Sequence, residues 1–283
     1  MKRKAGILLA SCLFCSVFVQ GIFAQGNLLV APIRVVYEGA KQKEDLNLTN
    51  IGQDTAVYLV SFLHYQMLPD GSFKQLPESD SLLTRADKFK GANTIRITPR
   101  KVVLPPGESQ TIRMQYIKPA NLPIGEYRSH LYFRAEKEVA ALGMNTNQAD
   151  SGKMSVSITP IFGISIPVIV RNGDLKYKIT LSDVKVTKEN DSITTVDVSI
   201  NRSGDRSAYG NIRVVFVPAN GKTIDIGLAN GVGVYTDLQS RRFRIPLRNR
   251  IGQFLSNGKM IIYYNLTREE GETELAKIEY QIP

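Results

Sequence analysis

Few residues in this chain are arranged to make or break bonds. There is no Gly-x-Ser-x-Gly elbow, no His-Glu-x-x-His pair and no phosphate-cradling glycine loop. Glu269 and Glu270 are adjacent, but in a turn-rich stretch where carboxylates are ordinarily solvated. His64 and His130 have no cysteine or second histidine at ligand spacing, so neither reads as a metal ligand. Both cysteines, Cys12 and Cys15, fall in the first apolar segment. These features argue against an enzyme and call for no cofactor and no metal. What remains is cationic. The formal charge is +10, or about +7 without Lys2, Arg3 and Lys4. A guanidinium fork makes two parallel charge-assisted bonds to a carboxylate, so arginines on strands are where binding chemistry is sought. Arg34 sits in one β-prone run. Arg128, His130 and Arg134 share one face of another by their even spacing. Simple solvation of that face is the alternative. Basic residues are also interleaved with acidic ones throughout, which solubility alone explains.

The elements that would position these side chains are strands. Ile33–Tyr37, Leu46–Asn50, Ala56–Tyr65, Lys101–Leu104, Ser109–Ile117 and Tyr127–Ala135 alternate apolar and polar residues or are β-branched. Turn signals such as Glu38-Gly39 and Pro105-Pro106-Gly107 separate them, the pattern of a β-sandwich. No apolar run at helical spacing competes. Val139–Lys153 is rich in small and polar residues and reads as a loop. Ser155–Arg171 is then an unusually long β-prone stretch. Its even positions, Val156, Ile158, Pro160, Phe162, Ile164, Ile166, Val168 and Val170, form one row, the odd ones being mostly Ser, Thr and Gly. Arg171-Asn172-Gly173-Asp174 is turn-rich and marks a boundary. Strand candidates recur beyond it up to Ala276–Ile282, with turns at Asn220-Gly221 and Asn257-Gly258. The expected fold class is all-β: two immunoglobulin-like β-sandwich domains in tandem, residues 25–171 and 172–283.

Residues 1–24 read as an export signal. Lys2, Arg3 and Lys4 precede an apolar run from Ala5 to Phe23, and Ala24 offers a small residue for cleavage before Gln25, with Gly21 a second site. Two other readings stand beside it: a retained anchor near the length that spans a bilayer, and lipidation at Cys12 within Leu9-Ala10-Ser11-Cys12. Export implies a mature chain without thiols, membrane span or nucleic-acid partner.

The motifs in order resemble one family. Pro32-Ile33-Arg34-Val35-Val36-Tyr37-Glu38-Gly39, Leu46–Asn50, Thr98–Arg113, Gly125–Leu131 and Phe162–Val168 look like successive strands of the periplasmic chaperones of chaperone–usher pilus assembly, in a divergent branch. The likeness covers roughly residues 28–171; the second domain matches in size and strand content only. The resemblance implies a periplasmic chaperone that holds pilus or fimbrial subunits with an incomplete Ig-like fold by donor-strand complementation, for delivery to an outer-membrane usher. It implies that Arg34 grips the subunit's terminal carboxylate. The second basic residue of that grip falls at Pro167, which carries no charge; Arg128, His130 or Arg134 are the candidates to replace it. It also implies that Val156, Ile158, Pro160, Phe162 and Ile164 form the lent strand, with Ile166–Val170 closing the chain's own core. Packing of the whole row into its own domain is the alternative. Arg171 matches a residue used between the domains, with Glu126 the nearest acidic partner. An Ig-like adhesion or cell-envelope module is the other functional reading.

Overall fold

The computed structural model describes residues 28–77, 94–136, 161–189, 193–248, 255, 257–267, 271 and 273–282. The expected export signal, the loop Val139–Lys153 and the donor-strand residues Val156, Ile158 and Pro160 lie outside the described residues. Among those described, the elements are strands, as the alternation predicts.

The first sandwich faces two sheets. One has the order β1 (Leu28–Ala31), β3 (Lys43–Asn50), β8 (Ser109–Tyr116), β6 (Ile95–Thr98). The other runs β2 (Val35–Tyr37), β10 (Gly163–Asn172), β9 (Gly125–Glu136), β4 (Ala56–Met67), β5 (Phe73–Leu76), with β7 (Lys101–Leu104) also paired to β4. Inward alternate residues of both sheets, among them Leu46, Leu48, Ile112, Met114, Leu131, Phe133, Ile166 and Val168, make one continuous core. The chain changes sheets between β1 and β2, across Pro32. At the start of β9 the Tyr127 hydroxyl donates to Pro123 O at 2.7 Å. Such a tyrosine bond to upstream backbone is found at corners of Ig-like sandwiches.

The second sandwich packs β11 (Tyr177–Lys188), β12 (Thr194–Gly204), β15 (Ser240–Pro246) against β14 (Ile224–Val234), β13 (Ala208–Pro218), β16 (Gly258–Leu266), β17 (Glu274–Ile282). Its core is separate and is drawn from Ile179 to Ile282, whereas the first runs from Leu28 to Val170. Only Gly173–Lys176 join β10 to β11. Gly173 has φ +90, and a β-carbon there would meet the Ile124 side chain at 2.8 Å. The bend leaving the first sandwich is thus both left-handed and crowded, which glycine alone accepts without strain.

Candidate functional site

β10 is flanked unequally. On one side it pairs antiparallel with β9 along its whole length, Gly163↔Arg134 through Asn172↔Gly125. On the other it pairs with β2 only at Val168–Val170, in parallel. Among the described residues, 163–167 therefore have a strand neighbour on one side only. The Ala135 amide donates to Phe162 O at 3.0 Å. Backbone groups alternate sides along a strand, so those of Gly163, Ser165 and Pro167 face the open edge. Proline has no N–H to leave unsatisfied and is tolerated where a strand's donor side is free. That is the physical reason Pro167 can stand where the resemblance places a basic residue. Just before β10, Ile161 and Phe162 are 53% and 47% exposed, unusual for side chains that size. Ile164 instead packs, half-buried, against the first core, and Ile166, Val168 and Val170 are within it.

The basic residues have different surroundings. Arg34 immediately precedes β2. The register Val168↔Val35, carried one residue back, sets it beside Pro167. Its guanidinium lies over the Tyr209 ring of β13, 4.3 Å from the centroid, so it stands where the two sandwiches meet. Arg134 is exposed near the end of β9. Arg128 is buried: its Nη2 donates to Tyr65 O at 2.9 Å and to Asp237 Oδ2 at 3.0 Å, and its guanidinium sits 3.8 Å from the Tyr235 centroid. His130 is buried edge-on between Tyr65 and Phe73, at 4.9 and 5.4 Å. Burial first, then the charges of Arg128 and His64, hold its pKa down to about 3. It is neutral at physiological pH and cannot act as a cationic anchor. Even spacing does place Arg128, His130 and Arg134 on one face of β9, but the seam and the aromatic cluster cover the first two.

Arg171, at the far end of β10, is 1% exposed at its side chain. Its Nε donates to Glu126 Oε2 at 3.0 Å and its Nη1 to Glu38 Oε2 at 2.8 Å. Burial disfavours its charge, but the Glu126 and Glu38 carboxylates outweigh that and raise its pKa. Across the seam, Glu126 Oε2 also accepts from the Ser207 amide and hydroxyl at 3.1 and 2.9 Å, and Glu38 Oε1 accepts from Arg206 at 3.2 Å. Near the end of the strand that carries the open edge, Arg171 thus holds the two carboxylates that bond the second sandwich.

No family model matches the chain, and no curated protein does. Solved structures do match. The YadV chaperone is 12% identical, with 90% of this chain and 100% of that one covered and a TM-score of 0.44. The SafB chaperone, in complex with the SafA pilin of Salmonella enterica, is 10% identical over 91% and 97%, TM-score 0.39. The pre-assembly complex of the CsuC chaperone with the CsuE tip adhesion subunit, from Acinetobacter baumannii, is 14% identical over 77% and 90%, TM-score 0.40. The chain is similar to fimbrial assembly chaperones.

Several residues at the seam escape a sequence reading. Tyr209, Tyr235, Asp237 and Ser207 belong to stretches with ordinary alternation or turn composition. Arg202 looks like one more polar strand residue, yet it is buried. It donates to the carbonyls of Leu238, Gly204, Arg206 and Thr236 at 2.8–3.3 Å. It therefore pins the two loops that present Ser207 and Asp237. A lone arginine before a Ser-Gly turn carries no signal that it will be enclosed by carbonyls.

Proposed function

We propose that this protein is a periplasmic chaperone that holds pilus or fimbrial subunits by lending them a strand, and delivers them for assembly, an outer-membrane usher being the receiver. Residues 25–171 and 172–283 are its two domains. The observation that carries the reading is the one-sided pairing of Gly163–Pro167 among the described residues, with exposed Phe162 leading into it. An unpaired edge is a template for another chain's strand. A subunit lacking one strand supplies the matching groove, so chaperone and subunit each hide an edge that would otherwise aggregate. Val156, Ile158, Pro160 and Phe162 would fill that groove, Ile164 marking where the row turns into the chaperone's own core. Arg34, beside the edge and stacked on Tyr209 of the second sandwich, would receive the subunit's terminal carboxylate. No ATP, metal or cofactor enters; the work is done by binding.

The test is the double substitution Ile158→Asp and Phe162→Asp. Burying each large apolar side chain is worth about 1.5–3 kcal/mol, and a carboxylate in the same dry groove adds a desolvation cost. The variant is expected to melt with the wild type yet lose co-purifying subunits. A folded variant that still keeps subunits from aggregating would overturn the strand-lending reading. An unfolded one would assign the row to the protein's own core and favour an Ig-like structural module of the envelope.

A further inference from the structure

The seam contains a second set of contacts whose bonds between the sandwiches use no side chain of the Arg171 cluster, Arg202 bracing the loops of both from within the second sandwich. The β4–β5 hairpin projects from the first sandwich and ends in a tight tip, Leu68–Ser72. There the Gly71 amide donates to Leu68 O, and the Leu68 amide to Ser72 O, both at 2.8 Å. Asp70 Oδ1 accepts from the Ser72 amide and hydroxyl at 2.9 and 2.6 Å, and Gly71 takes the left-handed φ of +86. The tip is fixed by its own bonds, and it crosses to the second sandwich. The Arg242 amide, on the side of β15 away from β12, donates to Pro69 O at 2.7 Å. The Met67 amide donates to Asp237 Oδ2 at 2.6 Å, and Arg128 donates to the same oxygen at 3.0 Å. Met67 and Ile169 of the first sandwich pack with Tyr235 of the second in a small buried cluster of their own. Phe73 lies 6.1 Å from Tyr235, centroid to centroid.

We infer that the β4–β5 hairpin is a second interdomain clamp, closed on Asp237 and Arg242, which opens separately from the Arg171 cluster and fixes the angle between the sandwiches. One carboxylate oxygen gathers a backbone donor from the hairpin and a buried guanidinium from β9. Asp237 therefore acts as a positioning residue for the whole face that carries Arg34. Charge-assisted bonds in a dry seam are the strong kind, and a docked hairpin adds apolar burial that the Arg171 cluster lacks. The inference does not rest on subunit binding.

Residue-resolved hydrogen exchange on the full two-domain chain tests it, because three amides report directly across the seam. Met67 and Arg242 report the hairpin clamp; Ser207, bonded to Glu126, reports the Arg171 cluster. All three are expected to be protected in the wild type. Asp237→Ala is expected to speed exchange at Met67 and Arg242 by about 10- to 100-fold, as for the loss of a bond to a charged group, and to leave Ser207 protected. Arg171→Ala is expected to do the reverse. Arg242→Pro removes the N–H that donates to Pro69, on the side of the strand away from β12, and keeps the test available if Asp237→Ala does not fold: it should release Met67 without releasing Ser207. Unprotected Met67 and Arg242 in the wild type would overturn the clamp. So would joint release of all three amides in any one folded variant, which would make the seam a single unit.

Discussion

At the scale of single residues, Arg34 and His130 show how differently two basic side chains can be used. If Arg34 receives a subunit carboxylate, Arg34→Ala should fold and lose subunit binding by roughly 30- to 4,000-fold, the affinity equivalent of about 2–5 kcal/mol for a truncated buried charge pair. Co-purification of subunits with the folded variant at wild-type yield would remove Arg34 from the site. His130 is a matter of stability. Folding lowers its pKa from 6.5 to about 3. Below pH 6.5 the unfolded chain takes up a proton there that the folded chain refuses. Its contribution is therefore complete above 6.5 and is lost as pH falls toward 3, by up to about 1.4 kcal/mol per pH unit. Denaturant unfolding at pH 7, 5.5 and 4.5 should show a shallower decline for His130→Gln than for the wild type; parallel declines would show that the imidazole takes up its proton equally in both states. The even spacing along β9 gave the shared face of Arg128, His130 and Arg134 from sequence. What covers that face comes from β4 and β5 and from the second sandwich, so spacing alone could not separate a buried neutral histidine from an exposed cation.

β10 is the element that joins the expected site to the fold. Its inward row was legible because period-two alternation needs only local sequence, and Ile166, Val168 and Val170 are indeed core residues. Where the inward row ends was less legible. Ile164 looks the same as Phe162 in the alternation, yet one packs on the core and the other is exposed. The difference is one of position: Ile164 lies within β10 and reaches the core, whereas Phe162 lies just before its first residue, and nothing in the alternation marks that end. The open edge makes a backbone prediction. Ser165→Pro deletes an N–H on the unpaired side while leaving the ladder to β9 intact. It should fold with nearly the wild-type melting temperature and bind subunits measurably more weakly in a pull-down or titration. A large loss of melting temperature would mean that the Ser165 amide already has a partner within the chain.

For the whole molecule, the division into two β-sandwiches reads from turn signals and alternation, and the separate cores reflect it. The seam does not read in this way, because its partners are remote. Glu126 and Ser207 are 81 positions apart, Arg128 and Asp237 109, Glu38 and Arg171 133. No window of sequence contains both halves of such a bond, and each half alone resembles a solvated charge. Glu126 was reachable only as the acid nearest in pattern to Arg171. The path of β10 has a mechanical consequence. One strand of ten residues, about 33 Å at the usual rise, has the unpaired edge at its first half and Arg171 at its other end. Tension applied at Phe162 runs along the strand axis, so it loads the ladders to β9 and β2 in shear, many bonds at once, instead of peeling them singly. Whatever those ladders do not absorb is delivered to the ion pairs and the four-residue linker. A chain hauled off this edge would therefore pull on a tie-rod anchored at the joint between the sandwiches, and the joint would have to bear the recoil of every release.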